Sequence, residues 1–500
     1  MKPGTTIRPA RRVSVFDLSQ PGLGGNGIID ADFDGETLPS ELAQTASRKT
    51  IGLPELSEVD VVRHFTRLSQ DSYGVDLGPY PLGSCTMKYN PKRNDAMASL
   101  PGFDRVHPAQ PTDSMSGIWT LFWNLQQHLA EITGMDAFTL QPAAGAHGEL
   151  TGLLMIRKHF EKQGEDRSVI LIPDSAHGTN PASAAMSGYT CKIIPTTKEG
   201  TLDVDAMRDL LNQDVAALMM TNPSTLGLFD PNIEQIAEEM HRNGSLLYYD
   251  GANLNALMGL VRPGDMGFDV IHINTHKTLS TPHGGGGPGA GPCGVKSFLE
   301  PYLPVPVVTR NAEGDIEALS DRPESVGRMK SYYGHVSILI KAYCYLLTNG
   351  PESLRTVSEN AILSANYIQS SLHDLLPPIF KQRCMHECLL SGGDLDVDPF
   401  DFVKRLIDFG VHPPTLVGAG CVHFSDDYDS AMLIEPTETE SLAVLDDMIA
   451  QFRKVAREVA VSRYTIETAP HTTDVAKVIV DEPAFLSMLE ADADQTEETP

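Results

Sequence analysis

The sequence predicts an α/β fold: a large domain built on a mainly parallel sheet, followed by a smaller C-terminal α+β domain. Short, wholly apolar segments alternate with helical patterns in the middle of the chain, as expected for parallel strands buried on both faces. The predicted strands are residues 168–172, 215–220, 246–249 and 270–273. Polar residues follow each strand, and functional groups in such folds gather at the carboxyl ends of the strands.

Between these strands, residues 203–211 and 231–242 have helical patterns. Asp230 followed by Pro231 predicts a helix start, with the aspartate as N-cap and the proline at the first helical position. After about residue 330 the pattern changes to a smaller α+β domain, with a largely helical stretch at 343–372, a further segment at 402–409 and a helix near 441–455. The predicted division is 1–94 N-terminal arm and extended segment, 95–330 large domain, 331–480 small domain and 481–500 acidic, disordered tail.

Composition excludes several functions. The 500 residues carry a formal charge of −28, from 38 basic and 66 acidic side chains. A protein this acidic is a poor binder of nucleic acid or of an anionic membrane surface. No apolar stretch is long enough to span a membrane, and the N-terminus lacks the apolar core of a signal peptide. We therefore expect a cytoplasmic protein with neither partner.

The cysteines predict reduced thiols. Seven is an odd number, and they are scattered along a long chain, so disulfides are not expected. Cys384, His386 and Cys388 resemble half of a zinc site, but a structural site needs four ligands and no second pair is evident. We expect no metal.

Lys277 is the first candidate for catalysis. It directly follows the apolar strand 270–273 and precedes a glycine run, which places it at the mouth of a cleft. A desolvated lysine loses its proton more readily and can then condense with an aldehyde. Taken alone, a lysine is more often a solvated surface residue.

Asp250 ends the preceding apolar strand, 27 residues before the lysine. Pyridoxal phosphate (PLP) requires a carboxylate beside its pyridinium nitrogen, and an aspartate one strand before the lysine suits that role. The alternative is a helix N-cap.

Three further groups follow strands or open a helix. Small residues at Ala144, Gly145 and Ala146 begin a helix whose free N–H groups would bind a phosphate, although close packing explains them too. His177 follows strand 168–172 and could stack on a ring or remain structural. Asn222 follows strand 215–220 and offers an amide at the same edge.

The order phosphate helix, histidine, amide, aspartate, lysine resembles fold-type-I PLP enzymes. Longer strings resemble the glycine cleavage system P-proteins, specifically their C-terminal half, which is subunit 2 of the split form. The resemblance spans roughly residues 50–455. It rests on YPLGSCTMKYNPK (80–92), QPAAGAHGEL (141–150), AHGTNPASAA (176–185), DGANLNALMG (250–259), the glycine-rich run after Lys277, and IEPTETES (434–441).

This resemblance implies PLP-dependent glycine decarboxylation, with the aminomethyl group passed to the lipoyl arm of an H-protein. It implies that Lys277 carries PLP as a Schiff base, that Asp250 holds the pyridinium charge and that His177 stacks on the ring. Ala252, Asn253 and His276 are implied as further cofactor contacts. A separate subunit 1 is implied as partner, with two copies of each chain in a heterotetramer.

The chain departs from the family pattern at Thr275, where an apolar residue is expected, at residues 335–337 and at residues 416–431. A PLP lyase or aminotransferase acting on another amino acid, or a non-catalytic partner subunit, therefore stays open at this stage.

Overall fold

The structure is a computed structural model that describes residues 14–22, 52–107, 110–284, 289–392, 395–417, 428 and 430–473. The chain divides into two compact units, Met1–Gly74 and Val75–Pro500. The predicted boundaries at residues 94, 330 and 480 stay predictions. The predicted tail, 481–500, and residues 1–13 and 23–51 of the predicted N-terminal segment lie outside the described residues.

The first unit contains one described helix, α1, Glu58–Gln70. Ser57 caps it, because its side chain accepts a hydrogen bond from the Asp60 N–H, as serine does at helix starts. Acidic residues fill the first turn and Arg67 stands in the last, which complements the helix dipole.

A seven-stranded sheet forms the centre of the second unit. Its strand order is β1-β7-β6-β5-β4-β2-β3, and β2 to β6 run parallel. The strand β7 is antiparallel to both of its neighbours. The strands are β1 Ala137–Thr139, β2 Val169–Pro173, β3 Thr190–Ile194, β4 Val215–Met220, β5 Leu246–Gly251, β6 Val270–Ile273 and β7 Cys293–Val295. All four predicted strands are confirmed, and so is the mainly parallel sheet.

Helices cover both faces of this sheet. Successive residues of one strand pack into different apolar clusters, Tyr248 into one and Tyr249 into the other. This two-sided burial explains why the strands are continuous apolar runs rather than alternating ones. The helices of this region are α2 Lys92–Ala98, α3 Pro101–Asp104, α4 Ser116–Thr133, α5 Gly145–Gln163, α6 Thr179–Met186, α7 Val204–Leu210, α8 Ile233–Arg242 and α9 Thr275–Thr278.

The predicted start of α8 is wrong by two residues. The N-cap is Asn232 rather than Asp230. The Asp230 carboxylate instead accepts hydrogen bonds from the N–H groups of Leu202 (2.8 Å) and Asn232 (2.9 Å). A long-range contact from residue 202 therefore competes with the local cap, and it cannot be read from the local pattern.

A two-stranded ribbon, β8 Val307–Arg310 and β9 Ile316–Leu319, connects the large sheet to a smaller α+β region. There a three-stranded antiparallel sheet has the order β10-β12-β11. Its strands are β10 Cys388–Leu390, β11 Thr415–Leu416 and β12 Met432–Ile434, and its helices are α10 Val336–Leu372, α11 Pro399–Ile407, α12 Leu442–Val461 and α13 Arg463–Glu467. The helix α10 breaks at Gly350, where φ is 66°. The helices predicted at 343–372 and 441–455 are confirmed with shifted ends, and Pro399–Ile407 forms a further helix.

Residues 79–90 run from the small sheet to the large one. Leu82 forms a β-bridge with Ile434 of β12, and Thr415 donates a hydrogen bond to the Gly83 carbonyl at 2.8 Å. Further along, the Asn90 amide donates to the Ser280 carbonyl at 3.1 Å, just after α9. This linking segment therefore bonds to strands of the small sheet and to the loop that follows α9.

None of the helices in the described part of the chain is long and apolar enough to cross a membrane. Cys293, Cys384 and Cys388 are buried free thiols. His386 is brought together with Glu387 and Glu435, rather than with a set of thiols.

The approach of β5 to β6 leaves no room for a side chain at residue 251. A Cβ on Gly251 would lie 1.9 Å from the His272 carbonyl oxygen, which is backbone and cannot move without separating the strands. We expect Gly251→Ala to lower the free energy of unfolding by about 3 kcal/mol, measured by urea denaturation. Gly102→Ala is the matched control, since no heavy atom lies within 4 Å of its Cβ position. Equal stability of the two variants would contradict this packing.

Candidate active site

The ends of β5 and β6 bring an aspartate and a histidine into contact. Asp250 pairs with His272 in the parallel register. His272 Nε2 lies 3.2 Å from Asp250 Oδ1, and both side chains are buried. Asn180 donates to Asp250 Oδ2 at 2.9 Å and the Ala252 N–H donates to Oδ1 at 3.0 Å. Asp250 is therefore a buried carboxylate that is fixed by three contacts, rather than a helix cap.

The two groups stabilise each other's charged form. Burial acts to raise the pKa of Asp250, but the charge and hydrogen bond of His272, with the bonds from Asn180 and Ala252, hold it below its usual value. Burial likewise acts to lower the pKa of His272, and the Asp250 carboxylate outweighs it and raises that pKa. His272 thus lies behind the carboxylate and favours its charged form. Sequence reasoning missed His272, because a histidine inside VIHI gives no signal beyond its place in a buried strand.

Lys277 lies in the single turn α9, immediately after β6, and is only 8% exposed. Its Nζ donates a hydrogen bond to the Ser84 carbonyl at 2.7 Å. The alternative of a solvated surface lysine is therefore excluded. Among the described lysines only Lys88 shares this burial, and Lys88 is already paired with Glu438 at 2.7 Å.

Two neutral histidines adjoin Lys277. Burial, with the charges of neighbouring His283 and Lys277, lowers the pKa of His276 to about 3, and burial with Lys277 lowers that of His283 to about 4. Their rings meet edge to face at 5.0 Å. The buried atoms His276 Nδ1 and His283 Nε2 find no hydrogen-bond partner among the described residues. Unpartnered buried nitrogens of this kind suit a ligand that supplies the missing bonds.

The start of α5 is shaped for an anion. Ala144 is the N-cap, and a Cβ on Gly145 would lie 2.1 Å from Asn274 Oδ1, so only glycine permits this approach. Ala146 is exposed at the first turn. The first N–H groups of a 19-residue helix are unpaired by geometry and attract a phosphate.

Basic side chains surround this helix start, a feature that sequence reasoning missed. The Ala143 N–H donates to His147 Nδ1 at 3.1 Å. The charges of Lys330 and His335, with burial as the main cause, lower the pKa of His147. His335 in turn contacts the Gly289 carbonyl at 2.6 Å and Lys330. The departure from the family pattern at residue 335 thus joins the glycine-rich segment to the anion site.

His177 is oriented by a chain of hydrogen bonds. Its Nδ1 lies 2.9 Å from Thr179 Oγ1, which donates to Glu149 at 2.7 Å. Ser183 donates to the other Glu149 oxygen at 2.8 Å. Burial first, and then the charge of Lys277, lowers the pKa of His177. The histidine is therefore neutral and lies within the electrostatic reach of the lysine.

The amides predicted to bind the cofactor have other bonds. Asn222 is fully buried, and its Oδ1 accepts from the Asp230 N–H at 2.8 Å. Asn253 donates to the Pro223 carbonyl at 2.9 Å. Ala252 is half-buried next to Asp250. These two amides hold the loops after β4 and β5 together, and their direct contact with a cofactor stays a prediction.

Two departures from the family pattern have different outcomes. The Thr275 hydroxyl is accommodated in the core by donating to the Ala290 carbonyl at 3.3 Å and accepting from Thr281 at 3.2 Å. Most of residues 416–431 lies outside the described residues.

This arrangement fits PLP. The helix start with its basic neighbours matches a phosphate, the Asp250–His272 pair matches a protonated ring nitrogen, and Lys277 matches an aldehyde carbon. The unpartnered Asn274 Oδ1, His276 Nδ1 and His283 Nε2 surround the same edge of the sheet and can bond to the polar atoms of the group.

Comparisons with known proteins agree with this chemistry. Residues 150–286 match the family model of class-V aminotransferases, and residues 357–478 match the model "Glycine dehydrogenase, C-terminal domain". A relative from Caldanaerobacter subterraneus, "Probable glycine dehydrogenase (decarboxylating) subunit 2", is 50% identical over 469 residues, 93% of this chain and 95% of the relative. A relative of the same name from Shouchella clausii is 49% identical, over 93% of this chain and 94% of its own length.

Solved structures share the fold. An inhibitor-bound glycine decarboxylase (P-protein) of the glycine cleavage system superposes with a TM-score of 0.68 at 21% identity, over 84% of this chain and 95% of that one. A glutamate decarboxylase from Lactobacillus brevis superposes with a TM-score of 0.64 at 13% identity, over 85% of this chain and 98% of that one. Both confirm the fold-type-I architecture of PLP enzymes.

We expect borohydride reduction of the PLP-loaded protein to fix the cofactor on Lys277, read by peptide mapping. Lys277→Ala should abolish the visible Schiff-base band, because no other described lysine is both buried and without an acidic partner. Lys296→Ala is the matched control, since its Nζ bonds to the Gly134 carbonyl away from this edge. Trapped cofactor on Lys88 would contradict the assignment.

Proposed function

Since this chain belongs to the family of glycine dehydrogenase (decarboxylating) subunit 2, a PLP-dependent enzyme of glycine decarboxylation, we propose that Lys277 carries its cofactor and that a separate subunit 1 completes the enzyme. The observation that carries the proposal is the buried Lys277 one strand away from the buried Asp250–His272 ion pair. The two groups have the charges and burial that a bound PLP ring requires at its two ends.

Bound PLP supplies an electron sink for the pair of electrons left when the C–COO⁻ bond of glycine breaks. The chain supplies the surroundings. When PLP is bound, Asp250, with His272 behind it, would keep the ring nitrogen protonated, and Lys277 would hold the cofactor. The start of α5 would hold the phosphate, and neutral His177, oriented through Thr179 and Glu149, would be a further contact to the cofactor.

The aminomethyl group then requires an acceptor, and we assign that role to the lipoyl arm of an H-protein, as the family resemblance implies. The glycine-rich segment after Lys277 supports this assignment. Residues 283 and 284 lead into it, and its described end, Gly289, contacts His276, since a Cβ there would lie 2.4 Å from His276 Nδ1. The absence of a side chain at Gly289 lets the backbone approach His276, next to Lys277, this closely.

A partner subunit is supported by α1. Four of its five apolar residues, Val61, Val62, Phe65 and Leu68, fall on one side of the helix, yet no residue of the helix is buried in the described part of the chain. Val62 and Phe65 are each 56% exposed. An apolar helix face of this kind is typical of a surface that a partner covers. We propose that subunit 1 covers it in a heterotetramer with two copies of each chain.

We also propose a cytoplasmic location. The buried thiols Cys293, Cys384 and Cys388 are free, and reduced cysteines are the rule in that compartment.

The purified chain should show no glycine–bicarbonate exchange with H-protein, and addition of subunit 1 should restore it. The physical reason is that an obligate partner completes the surface around the site. Lys277→Ala in the complete mixture is the control and should be inactive. Full exchange by the chain alone would refute the split enzyme. If the complex with subunit 1 binds PLP but shows no glycine–bicarbonate exchange, the result would favour an enzyme that acts on another amino acid.

Replacing Val62 by Asp should weaken assembly with subunit 1 by at least about tenfold, because a carboxylate would be buried in an apolar contact. Arg67→Gln is the matched control, as it changes the net charge equally on the opposite side of α1. Analytical ultracentrifugation of the mixtures reads the result. Equal assembly of the two variants would show that α1 does not contact the partner.

A further inference from the structure

A second group of buried titratable side chains lies near Lys277 and has no role in the mechanism above. One ring nitrogen of His386 and one carboxylate oxygen each of Glu387 and Glu435 all lie within 4.8 Å of one another. Each of the three side chains is at most 1% exposed. His386 Nε2 is 3.7 Å from Glu387 Oε1 and 3.9 Å from Glu435 Oε1. Both nitrogens of His386, Glu387 Oε1 and Glu435 Oε2 lack hydrogen-bond partners within the described ranges.

The linking segment connects this group to the lysine. The Ser84 N–H donates to Glu387 Oε2 at 2.6 Å, while the Ser84 carbonyl accepts from Lys277 Nζ at 2.7 Å. Thr86, two residues on, donates to Glu435 Oε1. Ser84 alone thus connects the Lys277 amine to the Glu387 carboxyl, and Thr86 of the same segment binds the Glu435 carboxyl.

Charge balance limits how many of these acids can ionise. Two carboxylates this close in the interior repel each other strongly. The cations that face them are Lys88 and Lys277. Lys88 is already neutralised by Glu438 at 2.7 Å. One cation, Lys277, therefore remains for two acids.

The other titratable neighbours do not supply the missing charge. His386 is neutral, since burial with Lys277 and Lys88 lowers its pKa to about 3. Burial raises the pKa of Glu435 to about 7, against the opposing effects of Thr86, Lys277 and Lys88. Burial and the charge of Glu435 raise that of Glu387.

We propose that Glu387 and Glu435 share one proton and present a single negative charge to Lys277, which sets the pH at which the nitrogen of its Schiff base loses a proton. The two acids are positioning residues for the reaction. The inference rests on Lys277 carrying PLP, as proposed above, and not on the identity of the amino acid substrate.

The test is a pH titration of the Schiff-base absorbance band in the assembled holoenzyme. Glu387→Gln and Glu435→Gln should each leave the midpoint nearly unchanged, because the remaining acid ionises and keeps the single charge. The double variant should lower the midpoint by about one pH unit, since no anion then stabilises the protonated nitrogen. Glu440→Gln, which removes a charge outside the group, is the control and should shift nothing.

Equal downward shifts in both single variants that add in the double variant would overturn the shared proton, because both acids would then be ionised. If the midpoint stays the same in all variants, including the double variant, the acids do not influence the Schiff base of Lys277. Absence of the Schiff-base band from the wild-type protein would instead refute the cofactor assignment, so the two failures are distinguishable.

A second measurement does not require the double variant to fold. The infrared carbonyl band of one protonated carboxyl should be present in the wild-type holoenzyme at neutral pH and absent from each single variant. Its absence from the wild type would overturn the proposal. A stoichiometric divalent ion, retained by the wild type but lost from Glu435→Gln, would also overturn it, because the ion would replace the proton.

Discussion

The parallel pairing of β5 with β6 is the constraint on which the rest of the site depends. It places Asp250 opposite His272, and the single turn that follows β6 carries Lys277. The pairing requires Gly251, since the His272 carbonyl occupies the space of a side chain. Because hydrogen bonds between strands fix this register, the carboxylate and the amine are held at a constant separation without any contact of their own.

Buried charged side chains near the site are paired with a neighbouring group of opposite charge. Asp250 has His272, and Lys88 has Glu438. A buried charge without such a partner costs several kcal/mol, so each ionic group near the site must have one. Lys277 is the exception, because its Nζ bonds to the Ser84 carbonyl and forms no ion pair with a described carboxylate. Its surroundings therefore combine neutral histidines with acids connected through Ser84.

Through the linking segment, the smaller α+β region contributes to the surroundings of Lys277. It bonds to the small sheet through Gly83 and reaches Lys277 through Ser84. Ser84 adopts a left-handed backbone with φ 66°, which is costly for a residue other than glycine. Such strain persists only where the surroundings hold it, here the Glu387 carboxylate on its N–H. A shift of the smaller α+β region would accordingly move the hydrogen-bond acceptor of Lys277.

The sequence by itself determined the fold class, the four central strands and the position of Lys277 and Asp250 at the ends of two of them. Those follow from local signals, since continuous apolar runs are typical of strands buried on both faces. Motif strings identified the family because they are long and unusual. His272, Lys330, Ser84 and the acids Glu387 and Glu435 were not predicted. The signal for each is a partner far away in the chain, such as the 303 residues between Ser84 and Glu387, and only the tertiary structure brings such residues together. The misplaced start of α8 has the same cause, because the Asp230 carboxylate bonds to a loop that only folding places beside it.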